Sequence, residues 1–387
     1  MDLSFSEEQV LLRDSVRRWV RNAYGFDVRR QSLESGGSFR SDVWRQMADA
    51  GWLAVGIPEA NDGLGGGTVE YSVICEELGR GLVLEPYVAS AVFATQLIAL
   101  IGSDTQKADW LPALAAGQCM AAVAYSEPQA RGAPGHVAAT ATPDRGGYRI
   151  YGRKTLVLGA PLADLLLVSA RSPAGISLFA LDAGTPGLQF QQGLLVDGRR
   201  SADLVLDGVE VPASRMLGTA GSALPALELA LDHAIVASCA ESLGIMEQCL
   251  DMSADYVKTR KQFGVPIGSF QALQHRLADM AIEIEMARSM HVHALRAMAL
   301  ADPAERQRGV GASKAFISQK AKWVTGQAIQ LHGGIGMTEE FLVGHYFKRA
   351  VVSEVLYGTS DLHLNRCADA LQTEIRGLVA PGVSAGT

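Results

Sequence analysis

From the amino terminus, apolar residues recur at the three- and four-residue spacing of helices. Ser6-Glu-Glu-Gln9 matches a capping box, in which the serine hydroxyl and the glutamine side chain satisfy free amides of a helix continuing through Leu11, Val16 and Val20. The same pattern predicts helices over Val43–Ala50, Tyr71–Leu82, Ala89–Ile101 and Ser103–Ala116, separated by Gly-rich turns such as Gly63-Leu-Gly-Gly-Gly67. Then the period changes. Ala121–Tyr125, Ala138–Thr142, Tyr148–Tyr151, Leu165–Ala170, Ser177–Leu181, Leu188–Gln191 and Leu204–Val211 are short β-prone runs bounded by Gly, Pro and Asp. From Leu224 the helical pattern returns. Pro225 suits a first helical turn, and more than thirty residues follow without another proline or an obvious stop. Further helices are expected over Phe270–Leu300, Ala304–Leu331 and Ser360–Leu378. Pattern alone predicts an α+β chain in three parts: an N-terminal helical domain over 1–120, a middle β domain over 121–215 and a C-terminal helical bundle over 221–380.

Nearly half of the 387 residues are apolar, enough for substantial cores. A net charge of -7 argues against general attraction to nucleic acid or an anionic membrane, while leaving room for a local basic cleft that holds phosphates. Cys75, Cys119, Cys239, Cys249 and Cys367 follow no metal or disulfide spacing, and no charged-then-apolar leader opens the chain, so reduced thiols in the cytoplasm are expected. The apolar stretch Gly81 to Ile101 is interrupted by Glu85 and Pro86 and reads as a loop and a buried helix rather than a membrane span. His291 and His293 sit two apart on an expected helix and point to different faces, so no metal site is expected.

Three segments carry candidate chemistry: Tyr256-Val-Lys-Thr-Arg-Lys-Gln-Phe-Gly-Val-Pro-Ile-Gly-Ser-Phe-Gln271, Gln330-Leu-His-Gly-Gly-Ile-Gly-Met337 and Leu356-Tyr-Gly-Thr-Ser360. With Gly56-Ile-Pro-Glu59 and Val209-Glu-Val-Pro212 in weaker support, the chain resembles the flavin-dependent acyl-CoA dehydrogenase family over essentially its whole length. It is most similar to the small-subunit branch typified by pimeloyl-CoA dehydrogenase. The resemblance implies a helical N-terminal domain, a β-barrel-like middle domain and a C-terminal four-helix bundle, assembled as dimers of dimers. It further implies FAD whose adenine and pyrophosphate end is held partly by the neighbouring subunit. Arg260 fills the diphosphate-binding position, for which a permanently charged planar fork is suited. Gln262 and Phe263 belong to the same cofactor-facing turn, and Gln271 matches a position reaching a partner's flavin. Gln330 resembles a further adenine-end contact, and Gly333 with Gly334 lets backbone approach the cofactor.

The other half of the implied site departs from the pattern. Where the family carries a Thr-Glu-Pro-x-Ala-Gly-Ser-Asp loop, this chain has Ser126-Glu-Pro-Gln-Ala-Arg-Gly-Ala133. Where it carries Lys-x-Trp-Ile-Thr-Asn, this chain has Lys154-Thr-Leu-Val-Leu-Gly159, so Leu156 and Leu158 replace the stacking and hydrogen-bonding groups. Tyr357 stands at the position of the glutamate base, and Ala234 at the alternative base position. A tyrosinate at neutral pH costs roughly 4 kcal/mol without special stabilisation, so Tyr357 reads as a packing replacement. Asp232 and Glu241 are candidates for a displaced carboxylate, although acids on long helices usually form solvated faces or ion pairs. His332 and His345 read as hydrogen-bonded structural side chains.

No catalytic residue is therefore assigned. The resemblance implies a non-base subunit of an α2β2 acyl-CoA dehydrogenase that shares FAD with a homologous base-carrying partner. Its implied substrate is an acyl-CoA, bulky or functionalised, with an electron-transferring flavoprotein as acceptor. Two alternatives stay open: a homotetramer with a displaced base, and a non-catalytic scaffold or acyl-CoA-binding protein.

Overall fold

The computed structural model describes residues 5–34, 36 and 39–379. Helices α1 (Glu7–Ala23), α2 (Phe26–Glu34), α3 (Ser41–Asp49), α4 (Thr68–Arg80), α5 (Thr95–Ile101) and α6 (Asp104–Ala115) form the first layer. The capping box opens α1 as expected: the Gln9 amide donates to Ser6 Oγ at 3.2 Å and the Ser6 amide to Gln9 Oε1 at 3.0 Å. Ser103 and Gln106 repeat the device at α6. The helix expected over Ala89–Ile101 is composite, with a π-helical segment Val88–Ala94 running into α5.

The middle layer is one eight-stranded sheet. Its strands are β1 (Ala121–Ala124), β2 (Thr140–Asp144), β3 (Gly147–Leu158), β4 (Leu165–Ser172), β5 (Gly175–Asp182), β6 (Leu188–Leu194), β7 (Arg200–Pro212) and β8 (Met216–Leu217). They lie in the order β6-β7-β3-β2-β4-β5-β8, with β1 parallel to β4. Strand β3 extends well past the expected Tyr151, because a bulge after Lys154 keeps it paired with β7 to Leu158.

A 36-residue helix, α7 (Leu224–Thr259), begins the last layer. The hairpin β9 (Lys261–Gln262) and β10 (Val265–Pro266) joins it to α8 (Gln271–Met298), followed by α9 (Pro303–His332), α10 (Leu342–Val355) and α11 (Ser360–Val379). Helix α7 is long and apolar enough to cross a membrane, yet its most apolar window is 89% buried inside the protein, so it is a core helix. Its middle packs on α4 so closely that a side chain at Gly244 would lie 1.8 Å from the Glu76 carbonyl oxygen, and one at Gly79 2.2 Å from that of Glu241. One apolar core runs continuously through both helical layers, and a second fills the sheet.

Candidate functional site

Where the sheet meets the bundle, an apolar cavity of about 380 Å³ opens between the π segment, β1, β3 and the α10–α11 connection. Phe93, Tyr125 and Tyr357 form an aromatic wall, with Phe93 edge-on to Tyr125 at 5.6 Å and to Tyr357 at 6.0 Å. Leu156 and Leu158 project from β3 into the same space. The bulge places Leu156 at φ 53° and binds its amide to Asp203 Oδ1 at 2.9 Å. The loop 126–135 closes on the α10–α11 connection at Gly132, where a Cβ would stand 3.0 Å from the Gly358 backbone. At φ 93° this is a position suited to glycine.

The Glu-Pro and Lys elements of this region are held by a buried ion pair whose role the sequence did not reveal. Lys154 Nζ donates to Glu127 Oε1 at 2.7 Å and to Ser169 Oγ at 3.0 Å, while the Glu127 carboxylate accepts from the Ala138 and Ala139 amides. Burial pulls the Lys154 ammonium down to about 8, against the pull of Glu127. With the Gln129 amide donating at 2.6 Å as well, Glu127 anchors the loop and has no lone pair to spare for chemistry.

Tyr357 is 8% exposed, and its hydroxyl has no partner among the described residues. Burial drives its pKa well above the ordinary phenol value, so the group is a neutral donor at any physiological pH. The two candidate displaced carboxylates are both engaged. Asp232 accepts from Arg306 Nε at 2.9 Å, and burial still raises it to about 6. Glu241 pairs with Arg349 and, at 3.7 Å, with Arg199. Ala234 is buried in the apolar core.

Glu241 belongs to a buried ionic cluster that joins all three layers. Arg349 of α10 meets Asp197 at 2.7 Å, and Arg199 Nε donates to the same carboxylate at 2.7 Å. From α2, Arg29 donates to the Asp197 carbonyl at 2.8 Å and to His345 Nδ1 at 3.1 Å, fixing the neutral tautomer that donates from Nε2 to the Glu339 carbonyl. Burial alone would raise Asp197, but Arg199 and Arg349 hold it below the usual carboxylate range. Arg199 Nη2 and Glu85 Oε2 are buried without partners among the described residues, and burial lifts Glu85 to about 7. None of these charges has a motif in the sequence; only the fold assembles them.

The motif residues gather elsewhere, at the far end of α7. Arg260 caps that helix, and the Ile267 amide donates to its carbonyl at 2.8 Å to close the turn. The second motif meets the first there: Tyr256 stacks on His332 at 4.4 Å, and His332 Nδ1 is 2.8 Å from the Ala328 carbonyl oxygen. Arg260, Gln262, Gln271, Gln330, Gly333 and Gly334 are all exposed. The Arg260, Gln262, Gln271 and Gln330 side chains make no hydrogen bond or ion pair among the described residues. Phe263 is 92% exposed at φ 53°, its ring edge-on to Phe270. None of these residues lines the cavity. His291 is buried and His293 exposed, so the pair faces two ways, and the described residues contain no metal-type cluster.

The exposed turn fits the diphosphate and adenine end of a dinucleotide: an uncommitted guanidinium, three free amides, an open aromatic face and glycine backbone. The cavity fits a flavin ring poorly by its side chains. Leu156 and Leu158 offer a ring no hydrogen bond, while the Thr155 hydroxyl proton is committed to Asp203 and the Thr359 hydroxyl accepts from the Leu362 amide.

Family models match the whole succession of layers: the acyl-CoA dehydrogenase N-terminal domain over residues 6–118, the middle domain over 122–209 and the C-terminal domain over 224–372. The chain is 30% identical to acyl-CoA dehydrogenase FadE12 of Mycobacterium tuberculosis, covering 94% of this chain and 96% of that one. It is 29% identical to acryloyl-CoA reductase (NADH) of Anaerotignum propionicum, with 94% of both covered. A chain in the crystal structure of the ChsE4-ChsE5 complex from Mycobacterium tuberculosis superposes with a TM-score of 0.88 at 29% identity, covering 99% of this chain and 100% of that chain. The chain therefore belongs to the acyl-CoA dehydrogenase family, whose members bind FAD and act as oxidoreductases on acyl-CoA.

Proposed function

We propose that this chain is the non-base subunit of a heteromeric acyl-CoA dehydrogenase, an α2β2 assembly in which a homologous subunit carries the glutamate and the flavin ring. The observation that carries the reading is the neutral, buried Tyr357 at the base position, with Asp232 and Glu241 both committed to arginines. Desaturation needs a group that takes the substrate α-proton at working pH, and a phenol pushed above its ordinary range is unsuited to that.

Bound FAD supplies the hydride acceptor for α,β-desaturation. This chain's part is to hold the remote end of the partner's cofactor. Arg260 would pair with the diphosphate, Gln262, Gln271 and Gln330 would offer amides, Phe263 would supply an apolar face to the adenine, and Gly333 with Gly334 would permit close backbone approach. Support for a two-chain assembly comes from the likeness to a chain of the ChsE4-ChsE5 complex. The same reading places the protein in β-oxidation-type lipid metabolism, passing electrons to an electron-transferring flavoprotein. All five cysteines are free thiols, which suits a cytoplasmic location.

The test is flavin content and acyl-CoA-dependent flavin reduction, for the chain alone and after co-expression with the acyl-CoA dehydrogenase encoded beside it. Activity with about half a FAD per chain, only in the co-complex, supports the reading. A fully flavinated, active homotetramer overturns it.

A further inference from the structure

Two polar atoms left over from the ionic cluster face one small space. Glu85, on the connection between α4 and the π segment, and Arg199, just ahead of β7, line a chamber of about 20 Å³ together with Tyr87 and Glu241. Glu85 Oε2 and Arg199 Nη2 are buried there, do not bond each other, and have no other partner among the described residues. Buried polar side-chain atoms are nearly always hydrogen-bonded, so two orphans in one chamber call for a shared partner. The remaining atoms of these groups are committed. Glu85 Oε1 accepts from the Arg40 amide at 3.3 Å, and Arg199 Nε donates to Asp197 at 2.7 Å. The Tyr87 hydroxyl donates to the Trp52 carbonyl at 2.8 Å and does not compete. Arg199 stops 3.7 Å short of the Glu241 carboxylate, beyond direct hydrogen-bond reach and at a separation that a bridging water typically spans.

We propose that this chamber is the site of one structural water, hydrogen-bonded to Arg199 Nη2 and Glu85 Oε2 and within reach of the Glu241 carboxylate. Size and chemistry select the occupant. A buried water needs about 10–15 Å³ of such space and two to four polar partners, and the chamber supplies both for a single molecule. Water also serves either protonation state of Glu85, donating to the carboxylate and accepting from the acid. An anion is disfavoured, since Glu241 and the ionised form of Glu85 repel it even as Arg199 attracts it. The bridge joins Glu85 of the first helical layer, Arg199 of the sheet layer and Glu241 of α7, three elements that no direct side-chain bond from Glu85 connects among the described residues.

The experiment is a crystal structure of the full chain at a resolution that orders waters, repeated after exchange into bromide with data collected at the bromine edge. One density peak is expected within about 3.2 Å of both Arg199 Nη2 and Glu85 Oε2, with no anomalous signal in bromide. Glu85→Gln keeps polar atoms at that place and should keep the peak. Glu85→Leu should lose it, because an apolar wall gives water too few partners. An unoccupied chamber in the wild-type protein, a direct Arg199–Glu85 hydrogen bond, an anomalous bromide peak, or a peak that survives Glu85→Leu overturns the proposal. The wild-type outcomes decide the matter even where Glu85→Leu does not fold. None of them depends on flavin stoichiometry, so the subunit reading stands or falls separately.

Discussion

Replacing Arg349 by methionine keeps the aliphatic bulk and removes the guanidinium. Arg349 is fully buried, and it reaches Asp197 at 2.7 Å, the Val83 carbonyl at 3.1 Å and the Glu241 carboxylate. Removing one partner of a buried ion pair costs about 3–5 kcal/mol, because the other charge is stranded. Asp197 keeps Arg199 at 2.7 Å and Glu241 keeps a looser contact with it at 3.7 Å, so the lower end, about 3 kcal/mol, applies here. An unfolding entropy of roughly 2.1 cal/mol/K per residue over 387 residues is about 0.8 kcal/mol/K, which turns that loss into a Tm drop of about 4 °C at pH 7 by differential scanning calorimetry. The effect has a pH signature. Asp197 is depressed in the folded state, so its stabilisation is present above its unfolded pKa near 4 and is lost as pH falls through the lower folded value. The gap between wild type and Arg349→Met should therefore narrow below about pH 4, and Arg349→Met with Glu241→Gln should recover part of the loss. A drop under about 1 °C, or a gap unchanged down to pH 3, would refute the view that this cluster binds the layers together.

Burial raises Glu85 to about 7, so the folded state holds a proton that the unfolded chain has released, and this group withdraws stability as pH rises from about 4 to 7. Glu85→Gln should accordingly raise Tm by a few degrees at pH 8 and leave it nearly unchanged at pH 5; equal effects at both pH values would contradict the assignment. Arg260→Gln should weaken FAD retention by the co-complex about 10- to 150-fold, as expected for charge-assisted hydrogen bonds, while Tm of the chain alone moves by less than about 1 °C because the Arg260 guanidinium has no partner among the described residues. Retention of full flavin in that variant would remove Arg260 from the site. Tyr357→Glu puts a carboxylate where the proposed function leaves the base missing, yet Leu156 and Leu158 remain; stopped-flow assays of the chain alone should show no acyl-CoA-dependent flavin reduction, and turnover would overturn that reading.

The long elements were legible because burial on one face leaves a period: α7 starts where expected, at Leu224, and α8 and α9 lie within a few residues of their expected bounds. Helices α2 and α10 were not, since α2 is short and charge-rich and α10 follows a glycine-rich turn that breaks the pattern. The two C-terminal motifs were visible in the sequence, and the structure brings them together at one exposed turn through Tyr256 and His332. The ionic cluster was unreadable. Arg29, the Asp197–Arg199 pair and Arg349 come from three different layers, and a charged residue in a sequence looks solvated until tertiary structure buries it. For Glu241 and Asp232, the ion-pair side of the expectation held, in the core rather than on a wet face.

Helix α7 also acts as a spacer bar. Glu241, whose charge bears on the Tyr357 phenol, sits midway along this unbroken helix and Arg260 caps its end, and at 1.5 Å per residue the rise from position 241 to the cap is about 28 Å. A rod gripped along its length by α4 and α9 transmits little of a local change from tip to tip. The chamber end can therefore lose groups without disturbing the geometry presented at the other tip, where a second body would read it. Two functions mounted on one stiff bar can drift apart in evolution while the bar itself stays the same.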